Sequence, residues 1–496
     1  MKIIRILCVV LLFVVVQNSN AQTKVERWGI YEYTIKGPLT GNPYNEVSIM
    51  AIFSKGGISR NISGFYAGDG IYKIRFMPDE IGKWEFETSS NIKKLSGKKG
   101  SFECTTPKGN NHGVVRANGL HFKYDDGTPY YPFGTTSYAW THQGDSLAEL
   151  TVETLSTSPF NKIRMGLFPK RYRYNFNEPN HFVFSGDKDE FDFTRFNPEY
   201  WDNLEKRIVQ LMDMGIQADL ILFHPYDSWG LSKMTREQDV FYLKYIIARL
   251  SAYRNIWWSL ANEYHLIKTK SPEDWDYIGK LISEQDVYDH LMSIHNHPKQ
   301  EFDWSKGWVS HISIQTHDMV HVNDLKVNLQ KPAINDECGY EGNLQSEWGN
   351  LSAEEIVHRN WTALVHGVYV THGETFADEN DVLWWAKGGH LKGKSVKRIR
   401  FLREVVEQLN MNLDYNKPEA GGSNISGGNL NQGMLVYFGN HQPANWDFDF
   451  PEGNYKIELI DTWNMTIETL GEKYSGKQSI KLSGKPRTAL RITKTD

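Results

Sequence analysis

From residue 22 to about 110 apolar and polar positions alternate in short runs, as in Val47-Ser48-Ile49-Met50-Ala51-Ile52-Phe53, Gly70-Ile71-Tyr72-Lys73-Ile74-Arg75-Phe76 and Gly82-Lys83-Trp84-Glu85-Phe86-Glu87-Thr88. A period of two broken by Gly, Pro and Asn predicts short half-buried strands, and hence a small β-sandwich of immunoglobulin-like type. Between 111 and 410 the pattern changes to apolar strands alternating with helical stretches. Asn197-Pro198 opens one helix, whose Trp201, Leu204, Ile208 and Leu211 share a face before Gly215 ends it. Thr235 with Gln238, and Ser352 with Glu355, read as capping boxes. The expected strand ends are Thr136, Arg164, His224, Glu263, His295, His317, Glu337 and Glu374. Their spacing, about 34 residues, is close to that of a βαβ unit, so the sequence predicts an α/β fold with a closed (β/α)8 TIM barrel. The intervals 295–317 and 317–337 leave room only for short helices. After a Gly/Asn-rich stretch at 421–428, alternation returns through Met434-Leu435-Val436-Tyr437-Phe438 and Ala489-Leu490-Arg491-Ile492, and residues 411–496 are expected to form a second β-sandwich.

The 496 residues are 40% hydrophobic and 23% charged, with a formal charge of −5 and no basic block. Disordered, collagen-like and coiled-coil chains are excluded by this composition, and nucleic acid is not expected as a partner. Residues 1–21 read as a signal peptide: Lys2 and Arg5 precede an apolar run from Ile6 to Val16, and Ser19-Asn20-Ala21 provides a small-residue exit. That run is too short to span a bilayer, which takes about 20 residues, so a secreted or periplasmic protein without a membrane span is expected. Once the leader is removed only Cys104 and Cys338 remain, too few for a disulfide framework. Nothing in the pattern sets an oligomeric state.

In such a barrel chemistry gathers where the strands end. The strand Asn255-Ile256-Trp257-Trp258-Ser259-Leu260-Ala261 runs into Asn262-Glu263, and Lys331-Pro332-Ala333-Ile334-Asn335 runs into Asp336-Glu337. Two carboxyls at the ends of strands four and seven suit retaining glycoside hydrolysis, which uses an acid/base and a nucleophile about 5–5.5 Å apart. Arg164 is placed to keep one carboxylate ionised, and Asn262 to bond a sugar 2-hydroxyl. Trp140, Trp229, Trp384 and Trp385 lie in loops expected at that face and are candidate stacking surfaces. Glu341 is read as positioning substrate, His372 as lining the site, and Glu374 and Asp318 as rival carboxylates. The histidines lack the spacing of a helical zinc motif, so no metal and no cofactor is called for.

Asn262-Glu263 after a Trp-rich strand, Glu337 after a later one and Arg164 after the second resemble the retaining (β/α)8 glycoside hydrolases of clan A. The run Glu337-Cys338-Gly339-Tyr340-Glu341-Gly342 is similar to the nucleophile region of the apiosidase-like group, whose members also carry flanking β-sandwich modules. The resemblance implies that Glu263 is acid/base and Glu337 nucleophile, with Arg164, His224, Asn262, His295 and His317 lining the subsite for the cleaved sugar. The substrate implied is a plant or algal poly- or oligosaccharide. Two departures stand out: the group places Asp where this chain has Glu263, and many clan A barrels place Trp at the end of strand eight, where this chain has Thr371-His372-Gly373-Glu374. Two other readings stay open from the residues alone: a carbohydrate-binding barrel without activity, and a metal-dependent hydrolase or lyase using the strand-end histidines.

Overall fold

The computed structural model describes residues 23–171, 178–383, 386–416 and 424–495; residues 1–21, expected as a signal peptide, and Trp384 and Trp385 lie outside them. Eight parallel strands form the central sheet: β1 (Phe133–Thr136), β2 (Lys162–Gly166), β3 (Gln217–Phe223), β4 (Ile256–Ala261), β5 (Met292–Ser293), β6 (Ile312–Gln315), β7 (Ala333–Glu337) and β8 (Tyr369–His372). Their order is β5-β4-β3-β2-β1-β8-β7-β6, and a parallel bridge from His295 to Ser313 brings the two outer strands together. Every residue of β3 and β4 is buried, as expected of strands covered on both faces, which read as near-continuous apolar runs. Thr136 and Glu337 end their strands, His224 and Asn262-Glu263 directly follow theirs, and His295, His317 and Glu374 lie two residues beyond. Arg164 lies inside β2, which continues to Gly166.

The outer layer consists of α1 (Asp145–Ser156), α2 (Pro198–Asp213), α3 (Arg236–Leu250), α4 (Pro272–Gln285), α5 (Met319–Leu329), α6 (Ala353–Val365) and α7 (Ser395–Leu409). Asn197 caps α2 ahead of Pro198, Thr235 and Gln238 form a reciprocal capping box on α3, and Ser352 caps α6. Between β5 and β6 there is no helix among the described residues. Buried Trp304 and Trp308 fill that place, and Trp308 fits because α4 carries Gly279, where a Cβ would come within 2.3 Å of the indole.

A small meander (Val115–Asn118, His121–Tyr124, Pro129–Tyr130) plugs the N-terminal mouth of the barrel, with Phe122 5.5 Å from Trp257 and 5.7 Å from Tyr369 between ring centroids. The N-terminal module has two sheets, of five and three strands, over a core that includes Phe53, Phe76, Trp84 and Phe102. It is tied to the barrel by buried Arg75, which meets Glu205 of α2 at 2.5 Å. The C-terminal unit, expected as a second β-sandwich, is an all-antiparallel β unit whose six strands are hydrogen-bonded in one continuous order. Its long strands Asn445–Asp461 and Thr466–Lys481 shift register three times and bend over, so that Phe450 and Ile480 pack on Val436 and Ile492 as a second layer would. Its other face, with Leu435, Tyr437 and Ile460, packs with Trp361 of α6. No helix among the described residues is long and apolar enough to cross a membrane.

Candidate active site

Glu263 and Glu337 face a common centre at the C-terminal mouth of the barrel. The Asn262 amide links them: its Nδ2 is 3.4 Å from Glu263 Oε2, and its Oδ1 lies 3.0 Å from the Tyr138 hydroxyl, which donates to Glu337 Oε1. Arg164 Nη2 donates to the same Oδ1 at 3.1 Å, and its Nη1 is 3.6 Å from Glu337 Oε1. Tyr340 also hydrogen-bonds Glu337. Its ring reaches that position because β8 is followed by Gly373, where a Cβ would fall 1.5 Å from the ring. On the other carboxyl, the Tyr226 hydroxyl donates to Glu263 Oε2. Glu263 itself is held in the left-handed backbone region, at φ 45° and ψ 53°, a strain on the order of 1–3 kcal/mol of the kind that persists at functional sites.

The two carboxyls are tuned apart. Burial and the charge of Glu337 push Glu263 up to about 7, against the pull of Tyr226, Lys170 and Arg164. Burial also works to raise Glu337, but His295, Arg164, the Tyr138 hydrogen bond and Lys170 override it and hold the carboxyl below the ordinary glutamate range. Burial depresses His295 to about 3, so this ring is neutral at pH 7, and the guanidinium and phenol carry the hold. A carboxyl that keeps its proton up to near neutrality therefore faces one held ionised, the division of roles that acid and nucleophile require. Lys170 joins them from the loop after β2: its Nζ lies 3.6 Å from the Tyr138 ring centroid, 4.8 Å from that of Tyr226 and 3.5 Å from Glu374 Oε2.

One layer deeper, Lys162 is wholly enclosed and meets Asp219 at 2.7 Å and Asp336 at 2.8 Å. Ser313 and Thr371 hydroxyls donate to Asp336, each at 2.6 Å. Asp336 and Glu337 are consecutive yet both reach inward, because β7 bulges against β6: Asn335 pairs with Ile314 and Glu337 with Gln315, leaving Asp336 as the extra residue.

A model of the apiosidase-like catalytic domain matches residues 116–413, more than half of the chain. The chain belongs to the apiosidase-like family. Two domains of unknown function, DUF5060 and DUF5605, match residues 24–91 and 423–493. Among solved structures, a protein of Bacteroides vulgatus named as a candidate glycoside hydrolase is 38% identical, with 96% of this chain and 100% of that one covered and a TM-score of 0.90. A family 5 glycoside hydrolase from the same organism shares the fold at 15% identity, covering 78% of this chain and 93% of that one, with a TM-score of 0.59. Curated proteins give no match. Family and relative place the chain among the glycoside hydrolases.

Within this apiosidase-like barrel the other expected site residues divide. Asn262, Arg164 and His295 stand beside the carboxyl pair. His224 is turned away: its Nε2 donates to the Phe168 carbonyl at 3.1 Å, and its Nδ1 accepts from the Tyr226 amide at 3.2 Å, so it shapes the loop that carries Tyr226. His317 is exposed and stacks on Trp348 at 5.3 Å and 20°. His224, His295 and His317 therefore do not converge, and among the described residues no group of three or more His, Cys, Asp or Glu could hold a metal.

Four expectations are corrected. Trp140 is 0% and Trp229 1% exposed, the first inside the core and the second bonded through Nε1 to Glu178 at 2.5 Å, so neither offers a face to a sugar. His372 is the neighbour of inward-facing Thr371 and points the opposite way, stacking on Phe160 and lying 3.1 Å from Ser395 Oγ. Glu341 caps α7, accepting from the Lys394 and Ser395 amides at 2.7 and 2.9 Å and from Ser395 Oγ at 2.5 Å. Sequence reasoning passed over Tyr138, Tyr226 and Lys170. Each follows a barrel strand within four residues, and that offset was the available signal.

Proposed function

We propose that the chain is an exported retaining glycoside hydrolase acting on a plant or algal poly- or oligosaccharide. Glu263 protonates the leaving oxygen while Glu337 attacks the anomeric carbon, forming a glycosyl ester. The ionised Glu263 then takes a proton from water as that water attacks the same carbon, releasing the sugar with its configuration retained and returning Glu337 as a carboxylate. The observation that carries this reading is the opposed tuning of two buried carboxyls linked through one amide: Glu263 raised to about 7, Glu337 held low. Asn262 presents its amide between them, where a sugar 2-hydroxyl would lie. Arg164 and Tyr138 stabilise Glu337 as an anion before attack and as a leaving carboxylate afterwards. The leader Met1–Ala21 supports export. The relatives' family name points to apiosides as one substrate class, and Glu263 in place of Asp favours a broader panel.

The test is turnover of a panel of plant and algal glycans, with the product anomer read by proton NMR. Expected is initial release of the same anomer as in the substrate, abolished in Glu337→Gln. Release of the opposite anomer, or unchanged turnover in that variant, rejects the proposal.

A further inference from the structure

Two buried charged groups in the site form or break no bond in the double displacement. Lys170 is 6% and Glu374 1% exposed, and they approach to 3.5 Å. The Lys170 ammonium lies over the rings of Tyr138 and Tyr226, whose hydroxyls bond Glu337 and Glu263 respectively, so the cation lies beside both phenols that hold the carboxyl pair. Beside it, Glu374 Oε1 is buried with no hydrogen-bond partner, and next to Glu337 both ring nitrogens of His295 are likewise unsatisfied. Buried polar atoms are nearly always paired, and an unpaired carboxylate oxygen beside the Lys170 ammonium marks a place that a ligand's polar atom would fill.

A cation that only donates stands next to a carboxylate that only accepts. Two neighbouring ring hydroxyls, each able to donate and accept, complement that pair. A sugar carboxylate at the same place would meet the like charge of Glu374. Resting on the hydrolase reading above, we infer that Lys170 and Glu374 are specificity-determining residues: they grip two adjacent hydroxyls of a neutral sugar in the cleaved-sugar subsite and disfavour a uronate there. Glu374 lies two residues past the end of β8, so recognition at this stave is polar rather than by aromatic stacking.

The test is calorimetric titration of the full chain at pH 8, where Glu374 is ionised, with neutral monosaccharides (xylose, arabinose, glucose, galactose, mannose, rhamnose) and with glucuronate and galacturonate. Expected is that a neutral sugar binds more tightly than either uronate, and that Lys170→Met and Glu374→Gln each weaken it about tenfold or more, the loss of one good polar contact. Glu374→Gln, by leaving the ammonium unopposed, is also expected to shift the preference toward the uronates. Lys170→Arg and Glu374→Asp, with melting curves for all four variants, separate lost contacts from lost folding, since the conservative pair should retain part of the affinity. Tightest binding to a uronate, no binding of any neutral sugar, or affinities within twofold of the parent in folded Lys170→Met and Glu374→Gln overturns the inference. Turnover dependent on Glu337 alongside such an unchanged affinity rejects this clamp alone, whereas turnover indifferent to Glu337 rejects the hydrolase reading itself.

Discussion

Two charged layers lie one above the other inside the same barrel and have been built to opposite rules. In the lower one Asp219 and Asp336 are balanced by Lys162, at 2.7 and 2.8 Å, and by Arg164, at 3.7 and 3.8 Å, with Ser313 and Thr371 completing Asp336. In the upper one Glu263 and Glu374 are each pushed up to about 7 by burial, while Glu337 stays low, and Glu374 and His295 keep unsatisfied atoms. The bulge at Asp336 gives one residue to each layer. Charges enclosed for stability are paired to completion. Charges enclosed for chemistry are left poised, with a site-strained Glu263 backbone held in place by the framework beneath.

The sharpest way to break that distinction is to exchange the consequences. Glu337→Gln is expected to lower kcat about 10⁴-fold or more, the scale seen when a nucleophile is removed, with the melting temperature unchanged or higher, since a buried charge disappears. Asp336→Ala is expected to do the reverse in kind, costing about 3–5 kcal/mol in denaturant unfolding because it leaves two buried cations, Lys162 and Arg164, facing Asp219 alone in that layer. If Asp336→Ala were as stable as the parent, the lower layer would not be the framework described.

Glu263→Gln is expected to slow turnover about 10²–10⁴-fold, less for substrates with acidic leaving groups. It should also abolish the alkaline limb of the parent's kcat/KM profile, placed near pH 7 by the raised Glu263. Stability should follow pH as well. A carboxyl raised in the folded state favours the protonated form, so the contribution of Glu263 and Glu374 is complete below their unfolded value near 4.5 and is lost as pH rises toward 7. Asp336 is depressed, so its contribution persists above the unfolded value and falls away only in acid. Glu374→Gln should therefore flatten unfolding free energy between about pH 4.5 and 7, and an unflattened curve contradicts the raised carboxyl. The smallest effect is expected for Glu341→Ala, about 1 kcal/mol of stability as for a lost helix cap, with kcat unchanged. A fall in kcat would return Glu341 to the substrate.

The barrel was legible because buried parallel strands write themselves as apolar runs, and each run ended within a few residues of a polar group that the structure places at the mouth. The pair Glu263 and Glu337 came from that rule. Burial within the loops did not, which is why Trp140 and Trp229 looked available and are enclosed. His372 was misread because the strand period puts Thr371, not its neighbour, inside. The Asp336 bulge broke the same period in the other direction and hid the lower layer. Tyr138 and Tyr226 carry no sequence signal except their offset, since their function depends on which carboxyl each phenol meets across the mouth. The continuous strand order of the C-terminal unit was equally hidden, because alternation reports which face is buried and not whether a sheet is continuous.

The central claim is that Glu337 alone forms the covalent bond to sugar. Incubation with a panel of 2-deoxy-2-fluoroglycosyl fluorides, followed by peptide mass mapping, tests it directly. The expected result is a single glycosyl adduct on Glu337, absent from Glu337→Gln. An adduct on Glu263 or Glu374, or no adduct with the fluoro analogue of a sugar the enzyme demonstrably releases, would contradict the account.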